Sequence, residues 1–331
     1  MSTLLAAADP TSHILPHDLF RLGDVWVTNH MLMALVAGVL MVVVFPLTFH
    51  RPVSDAPSGA RNFFEAILEF LRSEVFRPAL KEHTDRFVPF LWTLFFFILF
   101  CNLLGTIPLG DLLGLLSNGK LAHVGGAATG NVSTTGALAL CALVAIHVSG
   151  VMQVARQLMR GTYGHHAHEH DGATDAAGAH ASDHGRPHPG PTGARGMNPL
   201  LAVILALPLY LWNFAPHPFR PEPGQSRLMW IPDLLVWSML LVLELVGALI
   251  KPFALMIRLF ANMVAGHLVL AVLIGFIPVT MGVLAQIGIG IPVTVLSLLI
   301  RLLELFVAFL QAYIFTFLTT LFIAGAVAPE H

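Results

Sequence analysis

The chain contains 331 residues, of which 56% are hydrophobic and 11% are Asp, Glu, Lys or Arg. A soluble globular domain has about 25% charged residues, so this composition excludes an ordinary soluble enzyme. Its long apolar runs predict membrane-spanning helices, because about 20 apolar residues in a helix cross a bilayer. The formal net charge of −2 gives no basic field that would attract nucleic acid. We therefore expect an all-α, polytopic membrane protein that contacts the lipid bilayer and not nucleic acid.

Three apolar stretches in the first half of the chain have the length of single membrane spans, namely 31–49, 87–109 and 132–155. The connection between the first two contains six basic residues, which are Arg51, Arg61, Arg72, Arg77, Lys81 and Arg86. Such residues accumulate in cytoplasmic loops, so this connection is predicted to be cytoplasmic and the N-terminus external. Apolar residues recur at helical spacing between positions 63 and 75. This pattern predicts an amphipathic helix on the inner membrane surface.

The second half of the chain contains one short apolar stretch and two very long ones. Residues 199–214 are too few to cross a bilayer and are flanked by basic residues, which predicts a re-entrant or interfacial segment. Stretches 230–277 and 281–323 each exceed forty residues, whereas a helix of about 20 residues already spans the hydrocarbon core of about 30 Å. These two helices are therefore predicted to be tilted or kinked. We expect them to form a hairpin that turns near Pro278.

A change of composition after the third span marks a separate segment. Residues 161–196 hold seven of the 17 histidines among Gly, Ala, Asp and Pro, which predicts a disordered cytoplasmic insertion. No functional metal site is expected there, because no fixed ligand spacing such as HExxH is present. The predicted organisation is an external N-terminal segment, three spans with the inner-surface helix, the insertion, the re-entrant or interfacial segment and the long hairpin. Their ranges are 1–30, 31–160, 161–196, 197–229 and 230–331.

Ionisable side chains inside the apolar stretches are candidates for function, because each costs about 2.5–3.5 kcal/mol near the middle of a bilayer. They are His147, Glu244, Lys251, Arg258, His267, Arg301 and Glu304. His147 is alone in the third span and is expected to have a polar partner within the helix bundle. Arg301 is expected to form an ion pair with Glu304, three residues later.

Arg258 lies well inside the 230–277 stretch, and its guanidinium group is always charged. No Asp or Glu lies within one helical turn of it, and Asn262 on the same helix face supplies no charge. We therefore expect its counter-charge to come from another element or another subunit. Glu244 and Lys251 precede it at intervals of seven residues on the same face. Two interpretations of Glu244 and Lys251 are open. Either their side chains extend to the inner membrane surface, as long charged side chains do, or they function in a channel.

A hairpin of the two long helices brings together residues that are equally far from its turn. His267 is then expected near Glu304 on the external side, and Arg258 near the depth of Gln311. Glu304 and Gln311 are seven residues apart and share one face of the last helix. The sequence thus predicts polar clusters at different depths of the membrane.

The motifs around these residues resemble those of subunit a of F-type ATP synthases. Two of them are highly specific, KPFALMIRLFANMVAGH at 251–267 and LQAYIFTFLT at 310–319. NLLGTIP at 102–108 and NVS at 131–133 add to the resemblance. The similarity covers nearly the whole chain apart from the insertion and residues 199–214. One departure is Gly105, which stands where some members of the family have an acid.

The resemblance implies a non-catalytic subunit that forms the proton-conducting stator of the synthase. Arg258 would be the essential arginine that faces the carboxylates of the rotor c-ring. His267, Glu304, Gln311 and Asn262 would line the external half-channel, and Glu244 would mark the inner one. The implied partners are the c-ring, the peripheral stalk subunit b and other synthase subunits. No cofactor is implied, and the chain has no GxxxxGK[ST] motif for nucleotide binding.

Other classes of membrane protein fit the sequence less well. A transition-metal transporter would account for the histidine-rich insertion, but the apolar stretches lack His, Asp or Glu at metal-ligand spacing. An ion channel would need a filter loop, and none is visible. The insertion and the lack of an Arg-rich presequence favour the bacterial inner (plasma) membrane over the mitochondrial inner membrane.

Overall fold

A computed structural model gives the arrangement of most of the chain. It describes residues 18–50, 59–107, 125–161, 198–215, 230–275 and 283–327, together with residues 109, 113 and 116–118. The histidine-rich insertion, from position 162 onward, and the hairpin turn expected near Pro278 both lie outside the described residues.

The described chain begins with a β-hairpin that the sequence analysis did not predict. Strand β1 (Asp18–Leu22) pairs antiparallel with β2 (Val25–Thr28). The two-residue connection contains Gly23 with φ of 64°, a left-handed conformation that glycine adopts without a steric penalty. The Gly-Asp dipeptide between two short runs was the available sequence signal.

The rest of the described structure is helical, as predicted. The principal helices are α1 (Asn29–Phe49), α2 (Ala60–Phe70), α3 (Arg77–Leu80), α4 (Thr84–Thr106), α5 (Val132–Arg160), α6 (Pro199–Trp212), α7 (Trp230–Gly275) and α8 (Val283–Val327). A π-helical turn, Leu71–Phe76, follows α2, and short 3₁₀ turns occupy Lys81–His83 and Ala128–Gly130.

The apolar helices identify a multi-pass membrane protein, which confirms the predicted fold class. Within the described ranges, five helical segments are long and apolar enough to cross a bilayer. They are Asn29–Phe49, Ala60–Thr106, Val132–Arg160, Pro232–Leu273 and Ile287–Val327. With 14 residues, α6 is shorter than a span.

The two long helices match the long apolar stretches in the second half of the sequence. Helix α7 has 46 residues and α8 has 45. Each continues through an internal proline, Pro252 in α7 and Pro292 in α8. Both therefore exceed the length that a perpendicular crossing needs.

The chain divides into two compact units. The first unit comprises residues 1–143 and 249–321. Its core includes α4, where Leu91, Ile98 and Cys101 are completely buried. Helix α1 packs against α4, with the rings of Phe45 and Phe96 at a centroid distance of 4.8 Å.

The second unit comprises residues 144–248 and 322–331. Within it, the Nδ1 atom of His147 lies 3.0 Å from the hydroxyl oxygen of Tyr210 in α6. This contact confirms that His147 has a polar partner. Trp237 of α7 donates a hydrogen bond to the carbonyl oxygen of Trp212 at 3.2 Å, so α6 packs against both α5 and the first part of α7.

Candidate functional site

The C-terminal end of α4 is a meeting point for polar side chains of the first unit. The last four carbonyl groups of a helix have no partner inside that helix. Here Thr106 donates its hydroxyl to the carbonyl oxygen of Leu103 at 2.7 Å. His267 of α7 places Nε2 3.0 Å from the Gly105 oxygen, and Arg301 of α8 donates to the Thr106 oxygen at 2.7 Å. Both long helices therefore contact the end of α4 through side chains that can carry positive charge.

Both ring nitrogens of His267 face backbone acceptors. Nδ1 lies 2.9 Å from the carbonyl oxygen of Met263, one turn earlier in α7, and Nε2 faces Gly105. A neutral imidazole donates from only one nitrogen, whereas the protonated ring donates from both. Whichever ring nitrogen carries a proton, His267 therefore has a backbone acceptor for it.

Glu304 lies next to His267 and Arg301, with 11% of its side chain exposed. Its Oε2 atom is 3.6 Å from Nη1 of Arg301, which confirms the predicted ion pair. The carboxylate rests against Gly266, where any Cβ atom would overlap Oε1. In the described part of the chain neither carboxylate oxygen accepts a hydrogen bond. The Glu304 carboxylate therefore lies beside the Arg301 cation, and its oxygen lone pairs are not used in hydrogen bonds with the described residues.

A cavity of about 240 Å³ lies between α4, α7 and α8, beside Glu304. Its polar lining residues are Asn102, Thr106, Asn262 and Glu304. Asn102 is buried and oriented by two contacts, because it accepts a hydrogen bond from the Thr129 hydroxyl at 2.9 Å and donates one to the Ala308 carbonyl at 3.4 Å. This volume is large enough for several water molecules, for which these polar atoms could supply partners. The cavity therefore places the side chains of Asn102, Thr106 and Asn262 close to a largely buried carboxylate.

Asn102, Thr106 and Thr129 are site residues that could not be assigned a role from the sequence. Asn102 and Thr106 belong to the NLLGTIP motif, and this motif was the sequence feature that could have identified them. Thr129 lies outside the family motifs, and its hydroxyl contact with Asn102 joins positions 27 residues apart.

Gly105 has no room for a side chain. A Cβ atom there would lie 2.5 Å from Cε of Met263 and 2.6 Å from Cβ of Ala127. The acid that some members of the related family carry at this position therefore has no space here. The positive groups at the end of α4 contact backbone carbonyls instead.

We expect Gly105→Ala to destabilise the protein, because the added methyl group overlaps two side chains in a packed region, at a cost of about 1–3 kcal/mol. The matched control is Gly290→Ala in α8, where an added Cβ meets nothing within 4 Å and alanine favours the helix. The melting temperature of each purified variant in detergent tests this. A Gly105→Ala variant as stable as the control would contradict the steric argument.

Arg258 and Asn262 lie on the exposed face of α7. The neighbouring face of this part of the helix is buried through Leu255, Leu259 and Met263. Within the described ranges, Arg258 forms no hydrogen bond or ion pair. Its guanidinium group thus lies on an apolar outer surface, without an acidic partner from the described residues.

The other predicted site residues take different positions. Gln311 is buried in α8, and its Nε2 atom has no hydrogen-bond partner among the described residues. Glu244 is half-buried and belongs to the second unit. The cavity brings together Asn262 and Glu304, with His267 adjacent, and its lining does not include Arg258 or Gln311. Among the described residues, no group of three His, Cys, Asp or Glu side chains could hold a metal ion.

Large apolar side chains cover the outside of the two long helices. On α8 they include Leu298, Leu302 and Phe306, each at least 64% exposed in the isolated chain. Such a surface is stable only against lipid or another protein. The outer faces of α7 and α8 are therefore contact surfaces.

Comparison with known proteins places these features in a family. The profile of the family described as ATP synthase A chain matches residues 31–167 and 188–324. An ATP synthase subunit a 2 of Chlorobaculum tepidum is 30% identical over 95% of this chain and 67% of its own length. Subunit a proteins of Chloroherpeton thalassium and an Anaeromyxobacter species are 30% and 32% identical, over 93% and 94% of this chain and 68% and 56% of their own lengths. The resemblance drawn from the sequence motifs is confirmed.

Proposed function

The chain belongs to the ATP synthase subunit a family, and from this premise we propose that it provides two offset half-channels to and from the carboxylates of the rotor c-ring. As a proton-translocating membrane subunit of an F-type ATP synthase, it works together with other subunits of that complex. Proton flow through the half-channels couples to rotation and hence to ATP synthesis. The single observation that carries the finer proposal is the exposed Arg258 on α7, the helix that also lines the cavity beside Glu304.

The external half-channel is assigned to the cavity and its polar neighbours. A proton entering from outside passes His267, Glu304 and Asn262, and Gln311 supplies a further polar group. The unused lone pairs of Glu304 support this assignment, because a carboxylate without a hydrogen-bond donor can receive a proton. The cavity supports it as well, because its polar lining atoms can bind the water that carries protons.

Arg258 is assigned to the boundary between the half-channels. A permanently charged guanidinium on an apolar surface requires an anion from a partner. A rotor carboxylate that reaches Arg258 is favoured in its ionised form, so it releases its proton before it passes. The positive charge also opposes a direct proton leak from one half-channel to the other.

Glu244 is assigned to the inner half-channel, through which the released proton leaves. It is a half-buried ionisable residue within the apolar part of α7. The basic connection 51–86 would lie on the same cytoplasmic side, with the N-terminus external. The membrane is proposed to be the bacterial plasma membrane. The peripheral stalk subunit b is proposed as a further partner.

The rotor ring is proposed to pack on the exposed face of α7 around Arg258. We test this contact with cysteine pairs in the whole complex, after replacing Cys101 and Cys141 by alanine. Asn262→Cys, on the exposed face, is expected to form a disulfide with a cysteine placed one turn from the rotor carboxylate.

The matched control is Leu259→Cys, whose side chain is buried, with 1% of its surface exposed. It is expected to give no cross-link to the rotor. The contact is refuted if Leu259→Cys is cross-linked in preference to Asn262→Cys, or if no ring of small two-helix subunits co-purifies with the chain.

A further inference from the structure

Arg301 is an ionisable residue of α8 to which the family resemblance assigns no role. Its Nη1 atom donates to the Thr106 carbonyl oxygen at 2.7 Å and lies 3.6 Å from Oε2 of Glu304. One guanidinium group therefore joins the last residue of α4 to the carboxylate beside the cavity.

The end of α4 is a suitable anchor for a cation. The C-terminus of a helix carries a partial negative charge, which attracts positive groups in its last turn. Arg301 and His267 approach the carbonyl oxygens of two consecutive residues, Thr106 and Gly105. Because an arginine side chain is charged at any physiological pH, Arg301 keeps its charge whatever the proton occupancy of its neighbours.

The carboxylate of Glu304 is bounded by Gly266 and Arg301. A glutamate side chain has several rotatable bonds, and neither carboxylate oxygen of Glu304 has a hydrogen-bond donor in the described structure. Gly266 limits the carboxylate on one side. The anchored guanidinium group limits it on the other side.

We propose that Arg301 is a positioning residue, anchored on the end of α4, that holds the Glu304 carboxylate against Gly266 at the cavity. This inference rests on the proposed function, in which Glu304 receives protons in the external half-channel. It assigns Arg301 no proton of its own. The charge of Arg301 and its hydrogen bond to Thr106 keep the Glu304 carboxylate in one place during proton transfer.

A purely structural role of Arg301 makes a different prediction. As a cap of α4 alone, Arg301 would stabilise the protein whether or not Glu304 carries a carboxylate. As a positioning residue, it would matter for proton flux only while that carboxylate is present. A double-mutant cycle separates these two roles.

The experiment measures ATP-driven proton flux in inverted vesicles that contain the whole synthase, together with the amount of assembled complex. The variants are Arg301→Gln, Arg301→Lys, Glu304→Gln and Arg301→Gln with Glu304→Gln. Leu302→Ala, next to Arg301 and exposed, is the control. We expect Arg301→Gln to lower the flux about tenfold with normal assembly, since the ion pair with Glu304 and the hydrogen bond from the charged guanidinium group to Thr106 are both lost. Arg301→Lys should restore part of the flux, and the double variant should equal Glu304→Gln.

The outcomes distinguish this inference from the proposed function. If Glu304→Gln has wild-type flux, the proposed proton path itself fails. If Glu304→Gln lowers the flux but Arg301→Gln has no effect, or its loss adds fully in the double variant, the path stands and the positioning role is wrong. If Arg301→Gln prevents assembly equally with and without the Glu304 carboxylate, Arg301 is only a helix cap and the inference is overturned.

Discussion

Replacing Arg258 by alanine is expected to abolish ATP-driven proton pumping and ATP synthesis while the complex still assembles. The side chain lies on the exposed face of α7 and has no ion pair or hydrogen bond with the described residues, so its removal breaks no contact in that part of the chain. What is lost is the fixed positive charge that ionises the rotor carboxylate and separates the half-channels. Dye quenching in inverted vesicles measures the pumping, and immunoblots measure assembly.

Two further variants show whether charge at this position is the cause. Ile257→Ala removes an exposed apolar side chain from the preceding position, and it should pump normally. Arg258→Lys keeps the charge but loses the planar group with five donors, so it should retain little function. Pumping at the wild-type rate by Arg258→Ala would contradict the assignment of Arg258 to the boundary between the half-channels.

Exchanges at His267 and Glu304 are expected to show that the two residues act as one unit. The carboxylate of Glu304 contacts Gly266, the residue before His267, and lies within electrostatic range of the imidazole. Each single alanine variant leaves polar groups without partners, at a cost of about 1–3 kcal/mol. That cost corresponds to a proton flux reduced roughly 5- to 150-fold. The double alanine variant should lose less than the two single losses combined.

The exchanged variant, His267→Glu with Glu304→His, should recover part of the flux because the same two groups again lie within electrostatic range of each other. Recovery should be incomplete, since a carboxylate at position 267 would face the carbonyl oxygens of Met263 and Gly105. Val307→Ala, an apolar position of the cavity lining, is the control and should change the flux little. Additive single losses together with no recovery in the exchange would mean that the residues act independently.

The sequence predicted the membrane helices well, because their length and apolar composition follow directly from the thickness of the bilayer. Residues 132–155 and 230–277 became α5 and α7, which end at Arg160 and Gly275. The prediction placed the end of the second span at 109, whereas α4 ends at Thr106. Helix ends are less predictable than helices, since they depend on local contacts such as those made by the last carbonyl groups of α4.

The sequence did not predict the meeting point at the end of α4. The acceptors there are backbone carbonyl oxygens of Gly105 and Thr106, and backbone groups leave no pattern in a sequence. The absence of an acid at Gly105 was visible, but its cause, the close approach of Met263 and Ala127, required the packed structure. Arg301 could be paired with Glu304 from spacing alone, whereas its contact with Thr106 joins positions 195 residues apart.

The most direct test of the proposed function compares two proton fluxes in Arg258→Ala vesicles that contain the whole synthase. One flux is driven by ATP hydrolysis, and the other is passive flow down an imposed pH gradient. If Arg258 separates two half-channels, the ATP-driven flux should be absent while the passive flux persists or increases. ATP-driven pumping at the wild-type rate, with passive flux unchanged, would contradict the account.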